Sequence, residues 1–203
     1  MHIADLPSAQ VASRHGVQVT TVARTVIDLA RTLPFVDGVV VTDAVLAAAK
    51  TARGELGAVL AECARWPGVR RAERVIAFSD HRAESALASV ARVAFHEHGL
   101  PVPKLPPWAG DDEKVIGRAD FCWPEHGTIA VADDAARRDR LERSDSPPGR
   151  DGRLNAAGFE VVYFTWHEIM TMPWQVVASL RAAFARGGAA RDQRAPGRLG
   201  PVR

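Results

Sequence analysis

Two aspartates near the middle of the chain have the type and spacing of metal ligands. Asp120 lies in the stretch 116–123, and Asp133 follows the short apolar run that opens at Ile129. Side chains alternate between the two faces of a strand, and a Pro/Gly turn between the stretches predicts a hairpin, so the two carboxylates are expected to approach each other. Paired carboxylates are the ligands that Mg²⁺ prefers from a protein. Aspartates are also common at strand ends beside turns, so an ordinary structural role stays open.

These aspartates belong to a region that alternates between helical and strand periodicity. A helix with an apolar stripe is predicted from His81 up to Gly99, after which the period changes to two. The stretch GFEVVYFTW at 158–166 predicts a further strand, and an amphipathic segment that opens at Pro173 predicts a last helix. We therefore predict a small α/β domain over residues 79–186.

The segment ahead of this domain is predicted to be mainly helical. Val22, Val26 and Leu29 recur at helical spacing, the pattern is interrupted near Pro34, and further helical repeats follow. At the other end of the chain, residues 187–203 are rich in Gly, Pro and Arg, which is typical of a disordered basic tail. The predicted organisation is thus a helical region at 1–78, an α/β domain at 79–186 and a tail at 187–203.

The composition is that of a globular protein with an unusual choice of cation. The formal net charge is +2, but only three of the 26 basic residues are lysine. The planar guanidinium of arginine suits phosphate, although the same bias arises from genome composition, and both explanations stay open. Two cysteines without CxxC spacing, and the lack of a signal peptide or of an apolar run of about 18 residues, favour a cytoplasmic protein without membrane spans.

Three segments resemble, in order and spacing, the very-short-patch-repair-endonuclease-like domain of unknown function that is common in actinobacteria. They are RAESALASVARVAFHEHGLPVP at 82–103, IGRADFCWPEHGTIAVADD at 116–134 and RDGRLNAAGFEVVYFTWHEI at 150–169. That domain belongs to the restriction-endonuclease-like PD-(D/E)xK superfamily, so the resemblance implies a small mixed sheet flanked by helices, with DNA as the partner. VTTVARTVIDLARTLPF at 19–35 is similar to the abortive-infection type IV antitoxin-like (AbiEi-like) region that often precedes it.

The resemblance implies a set of catalytic residues. Members usually carry Glu-Ser-x-x-Glu in the first helix, and this chain keeps the first glutamate as Glu84 but has Ala88 in place of the second. The Asp-Phe pair of the second strand is present at Asp120. Members then carry Glu-x-Asp-Gly and a lysine, and Asp133 and Arg137 fall near the aspartate and the lysine. Glu84, Asp120, Asp133 and Arg137 are therefore the implied catalytic residues, with Asp120 and Asp133 as ligands of Mg²⁺.

The departures from the family pattern weaken this site. Val131 stands where members have a glutamate, and a valine offers no lone pair to a metal ion. Arg137 can stabilise negative charge on a phosphate, but it does not deprotonate in proteins and so cannot act as a general base. Loss of one catalytic group typically lowers a rate by about 10² to 10⁴. The expected function is a nuclease-like, DNA-associated protein with a weakened or inactive site and at most weak Mg²⁺ binding.

Two other functions stay open. One is a non-enzymatic antitoxin-like or regulatory module that binds DNA or a partner protein through the helical region, and the other is a truncated paralogue without selected activity. The first 20 residues are too few for a winged helix, so they are expected to give sequence-independent DNA contact at most.

Trp166 and His167, in the stretch FTWHEI just after a predicted buried strand, complete the set of candidate residues. Trp166 is expected to pack against the last helix. His167 is an alternative acid or base, because histidine titrates near neutral pH.

Overall fold

The computed structural model describes residues 6–83, 85–105, 108–111, 114–118, 120–132, 154 and 158–192. The chain divides into two compact units between Val93 and Ala94. Helices make up most of the first unit, and the second contains a small mixed sheet with helices, so the predicted α/β class is confirmed. In these described ranges, no helix combines the length and the apolar composition needed to cross a membrane.

The first unit begins with a β-hairpin that the sequence periodicity does not predict. Strands β1 (Val11–Arg14) and β2 (Val17–Thr20) pair in antiparallel register. The two residues between them, His15 and Gly16, have φ angles of 50° and 80°. Positive φ at both central positions is the conformation that tight two-residue hairpins favour, and glycine adopts it without steric cost.

Five helices follow the hairpin within the described ranges. They are α1 (Val22–Thr32), α2 (Phe35–Ala47), α3 (Arg53–Glu62), α4 (Val69–Phe78) and α5 (Ala86–Glu97). The side chain of Thr21 caps α1 by accepting a hydrogen bond from the backbone N–H of Arg24. The predicted break at Pro34 is confirmed, because Leu33 before it is extended and α2 begins directly after it.

Apolar faces of these helices bury two clusters in the first unit. One cluster joins α1 to α3 around Ile27 and Leu56, and the other joins α1, α2 and α4 around Val39 and Val75. All four side chains are fully buried. Burial of a side chain of this size stabilises a fold by about 1.5–3 kcal/mol, so these clusters account for much of the stability of the helical unit.

The start of α4 contacts the C-terminus of α1. Arg71 donates hydrogen bonds to the carbonyls of Thr32 and Leu33, each at 3.3 Å. Carbonyls at the end of a helix have no partner within the helix, so these hydrogen bonds satisfy them. Gly68 starts α4 with a φ of 81°, and a Cβ atom there would collide with the carbonyl oxygen of Arg31. This close approach requires glycine.

The second unit contains the strands and the last two helices. The strands are β3 (Trp108–Asp111), β4 (Lys114–Arg118), β5 (Phe121–Trp123), β6 (Thr128–Ala132) and β7 (Glu160–Phe164), and the helices are α6 (Trp166–Thr171) and α7 (Pro173–Asp192). The predicted start of the last helix at Pro173 is confirmed. The helix continues through residues 187–192, which the composition assigned to the basic tail.

The described strands form a two-stranded and a three-stranded sheet. β3 pairs with β4 in antiparallel register, while β6 lies between an antiparallel β5 and a parallel β7. The expectation of one continuous strand over 116–123 is therefore wrong, because β4 ends at Arg118 and β5 begins at Phe121 in a different sheet. Alternation of side chains cannot be counted across that break.

An aromatic cluster covers one face of the three-stranded sheet. The Phe95 ring lies edge-on to those of Phe121, Trp123 and Phe164, with centroid distances of 5.3, 5.5 and 5.9 Å. Trp123 also contacts Phe184 of α7 at 5.2 Å. Such edge-to-face pairs add about 0.5–1.5 kcal/mol beyond burial, so this cluster fixes the sheet against its helices.

The opposite face, which we call the Ile129 face, packs around a second apolar cluster. Cys122 and Ile129 share it with Leu154, and Val161 packs at its edge. Val131 lies on the same face because it is two residues beyond Ile129 in β6. All five residues of β6 are buried, which makes this strand the centre of the unit.

Gly68→Ala is expected to lower the free energy of unfolding by about 1–3 kcal/mol, because alanine is strained at positive φ and its Cβ would displace the end of α1. Gly57→Ala is the matched control, since Gly57 is in the exposed interior of α3 with open space around it and the change should stabilise the protein by about 0.5–1 kcal/mol. Urea unfolding followed by circular dichroism measures both. Equal effects of the two substitutions would contradict the proposed packing.

Candidate functional site

Asp120 lies at the point where the chain enters β5. Its backbone N–H donates to the carbonyl of Ala130 at 3.2 Å, and its carboxylate Oδ2 accepts a hydrogen bond from the backbone N–H of Ala132 at 2.8 Å. The carboxylate is therefore directed at the end of β6. Ala132 directly precedes Asp133 in the chain, so the carboxylate lies against the backbone next to the second predicted ligand.

Val131 occupies the adjacent position in β6 and is 5% exposed. It pairs in register with Tyr163 of β7, and both side chains point to the Ile129 face, because partners in a parallel pair share a face. The Val131 side chain is therefore hydrocarbon inside the packed sheet. The resemblance predicts that a glutamate has been lost at this position, and that loss stays a prediction.

The other predicted catalytic residues cannot be located in this way. Glu84, Asp133 and Arg137 lie outside the described residues, so the predicted approach of Asp120 to Asp133 stays a prediction. Ser85, next to Glu84, caps α5: its hydroxyl accepts from the backbone N–H of Ala88 at 3.1 Å.

Mg²⁺ requires near-octahedral oxygen coordination, usually from one or two carboxylates together with water. In the described part of the site, Asp120 supplies one carboxylate, and one of its oxygens already accepts the Ala132 N–H. No group of three or more His, Cys, Asp or Glu residues is arranged to hold a metal within the described ranges. These residues alone do not fit a magnesium centre, and no reaction step is assigned to one.

A buried polar cluster in the first unit was missed by the sequence interpretation. The carboxylate of Asp43 in α2 has no solvent exposure, and it accepts hydrogen bonds from Ser89 Oγ at 2.7 Å and from Arg92 at 2.9 Å. It also accepts from the backbone N–H of Asp80 at 2.7 Å, while Arg92 donates to the carbonyl of Phe78 at 2.6 Å. The cluster therefore ties α2 and the end of α4 to α5. We call it the Asp43 cluster.

The sequence contains a signal for this cluster. Asp43 stands inside the apolar run VVVTDAVLAAA, and Arg92 stands between the apolar residues Ala91 and Val93 of α5. A charged side chain in an apolar segment is rarely buried unless it is paired, so an acid in one such segment and a base in another suggest an ion pair. The carboxylate is accordingly fully hydrogen-bonded and serves the packing of the helices.

Opposite pKa shifts occur within the cluster and beside it. Burial raises the pKa of Asp43, against the opposing effect of its hydrogen bonds and of Arg92. Burial also acts to raise the pKa of Asp80, but the guanidinium and the backbone N–H of Arg82 outweigh it and lower that pKa to about 2. Arg82 binds both carboxylate oxygens of Asp80, at 3.0 and 2.6 Å.

Charged residues of α1 make contacts inside the first unit. Arg24 donates to Asp28 at 2.8 Å and to Gln10 at 2.6 Å, and its guanidinium lies 4.4 Å from the centroid of the Trp66 ring. Arg31 lies over the same ring at 4.8 Å and pairs with Asp28 at 2.9 Å. Arg24, Asp28 and Arg31 lie on one face of α1, and these contacts explain their spacing by the packing of that helix.

Two cavities of about 420 Å³ each open on the first unit. One is lined mainly by alanines of α2 and of the approach to α5, and the hydroxyls of Ser85 and Ser89 at its edge are engaged in the α5 cap and the Asp43 cluster. The other includes Lys50 and Arg53, and Arg53 donates to the carbonyls of Ile76 and Ser79. Thr51, Glu55 and His81 also line this second cavity, and the Glu55 carboxylate accepts hydrogen bonds from the Thr51 hydroxyl and from the backbone N–H of Ala52.

Exposed aromatic side chains lie along β7, α6 and the start of α7. Trp166, which the sequence predicts to pack against the last helix, is 44% exposed, and Tyr163 and Trp174 are 48% and 57% exposed. His167, the alternative acid or base, is also exposed, and its backbone carbonyl accepts a hydrogen bond from Thr171 Oγ1 at 2.7 Å.

Part of this chain is similar in sequence to mycobacterial proteins. No family model matches it. Two uncharacterized proteins of Mycobacterium tuberculosis, from strains CDC 1551 / Oshkosh and H37Rv, are each 34% identical to it over 110 residues. The match covers 54% of this chain and 41% of each relative, so the chain spans less than half the length of these curated relatives. No solved structure matches it.

Arg82→Gln is expected to reduce the acid sensitivity of folding. The pKa of Asp80 in the folded protein is about 2, below its ordinary value of 3.8. The ionised carboxylate therefore stabilises the fold fully above pH 3.8, and this stabilisation is lost as the pH falls toward 2. Removal of the guanidinium should lower the contribution of Asp80 to the free energy of unfolding by about 1 kcal/mol, after discounting for solvent screening. Asp43 contributes with the opposite sign, since its raised pKa favours folding at low pH.

Urea unfolding of the parent and of Arg82→Gln between pH 2 and 7 measures the difference. The difference should shrink in high salt, because Arg82 is half-exposed. Parallel stability profiles for the two proteins would contradict the assignment of the shift to Arg82.

Proposed function

We propose that the chain is a nuclease-like, DNA-associated protein of the very-short-patch-repair endonuclease type, weakened or inactive at its metal site, that acts in the cytoplasm. The observation that supports this most directly is the position of the Asp120 carboxylate against the end of β6. A mixed sheet with β6 between an antiparallel and a parallel strand supports it further, since the resemblance implies a sheet of that kind. DNA is the proposed partner.

The chemistry of the site supports the weakened form. Phosphodiester hydrolysis on such a sheet needs carboxylates to hold a divalent ion and a group that accepts a proton. Val131 supplies neither, and it is buried in β6. Of the carboxylates that the resemblance implies, the chain retains Glu84, Asp120 and Asp133.

Nicking of supercoiled plasmid in Mg²⁺ or Mn²⁺ tests the proposed site. Asp120→Asn is the sharper variant, because its amide oxygen can still accept the Ala132 N–H while the negative charge is lost. We expect slow, metal-dependent nicking at most. The rate of nicking by Asp120→Asn should be lower by a factor of about 10² or more. Asp120→Ala removes the hydrogen bond as well and should also lower the melting temperature. Nicking that survives both substitutions would come from another site or from a contaminant.

Val131→Glu restores the missing carboxylate, with Val131→Gln as its matched control. Both substitutions bury a polar group in β6 and should destabilise the fold by a few kcal/mol, but only the glutamate adds a metal ligand. Val131→Glu is therefore expected to be stabilised by Mg²⁺ in thermal unfolding and to nick faster than Val131→Gln. Identical behaviour of the two variants with metal would contradict the alignment of this site.

A non-enzymatic binding module is the second candidate. It is favoured by the hairpin, where Val17 and Val19 of β2 are 60% and 37% exposed and present one apolar face. A partner protein that covers this face would explain why apolar side chains are kept there. The two candidates differ in the effect of Asp120→Asn: a binding module should keep its metal-independent properties unchanged, whereas the nuclease-like protein should lose its response to Mg²⁺.

A further inference from the structure

Exposed aromatic side chains are concentrated in one short part of the second unit. Among the described residues, Tyr163, Trp166 and Trp174 are the large aromatic side chains that are more than a third exposed, and they fall within twelve consecutive positions. Met170, four residues after Trp166 in α6, is 52% exposed and lies on the same helix face. Single exposed apolar residues need no explanation, but a concentration of tryptophans in solvent does.

Local structure holds these side chains outward. Val162 and Phe164 of β7 point into the core, so Tyr163 between them points to the Ile129 face. Trp166 opens α6, and the position is fixed by a capping box in which Thr165 and Glu168 bind each other's backbone N–H groups. The exposure of Trp166 therefore follows from a well-defined helix start.

The surroundings of these residues suit an anionic partner. Between Val161 and Arg181 the only acidic residue is Glu168, and its carboxylate accepts two hydrogen bonds from Thr165. Arg181 lies seven residues after Trp174 in α7, so the two share a helix face. Arg181 is exposed and uses one N–H on the carbonyl of His98 at 2.7 Å, which leaves other guanidinium donors for a phosphate.

We propose that Trp166 and Trp174 form a surface on which the unpaired bases of single-stranded nucleic acid stack, while Arg181 contacts the phosphate backbone. Interleaved aromatic and basic side chains are how proteins bind single strands without reading sequence. Tyr163 points to the Ile129 face, whereas α7 packs through Phe184 against the aromatic face, so Tyr163 is not part of this surface. The inference rests on the proposed function in its choice of nucleic acid, and it adds the single-stranded substrate class.

Anisotropy of a fluorescein-labelled oligothymidylate of about 15 nucleotides, titrated with the full chain in EDTA, tests this inference. Trp166→Leu and Trp174→Leu keep an apolar side chain but remove the ring, and each should weaken binding by about fivefold or more. Val102→Ala is the matched control, since Val102 is 72% exposed elsewhere in the same unit and its change should leave the affinity intact. Arg181→Gln should reduce the salt dependence of binding.

Three results would overturn the inference: no binding of oligothymidylate by the parent, binding unaffected by the tryptophan substitutions, or equal affinity for a duplex of the same length. Sedimentation that shows a dimer of the parent and a monomer of the double tryptophan variant, without oligonucleotide binding, would assign the surface to self-association instead. Binding is measured in EDTA and nicking in Mg²⁺, on the same parent protein and tryptophan variants. Absence of metal-dependent nicking with retained binding, or the reverse, separates failure of the proposed function from failure of this inference.

Discussion

The burial of β6 on both faces is the constraint on which the geometry of the second unit depends. Its neighbours β5 and β7 run in opposite directions, and side chains from both faces cover it. A strand enclosed in this way must have its backbone N–H groups paired, and the carboxylate of Asp120 pairs the one at Ala132. The same hydrogen bond therefore pairs the backbone N–H of Ala132 and sets the direction of the Asp120 carboxylate.

Val131 suits the packing of β6. A glutamate at this position would need a partner for its buried charge, whereas a valine lies on the Ile129 face without needing one. The Asp43 cluster shows the contrasting solution, in which a buried carboxylate is kept because Ser89, Arg92 and a backbone N–H all reach it.

Local periodicity predicts the helices well and the strands less well. The break at Pro34 and the start at Pro173 follow from the backbone restriction of proline, which acts within a few residues. The separation of β4 from β5 depends on pairing with distant strands, so alternation along 116–123 could not reveal it. For the site, the roles of Asp120 and Val131 stay predictions, while the contact of Asp120 with Ala132 requires the fold. The exposure of Trp166 likewise depends on how α6 begins.

The Asp43 cluster has a consequence for exchange of parts between related proteins. Three segments of the first unit meet in it, and each supplies a group that the others cannot replace: a carboxylate from α2, a backbone N–H after α4, and a hydroxyl and a guanidinium from α5. A chimera that imports one of these helices alone would bury an unmatched charge or leave a donor empty. Recombination at this unit should therefore succeed only when the crossover points transfer all three segments as a block.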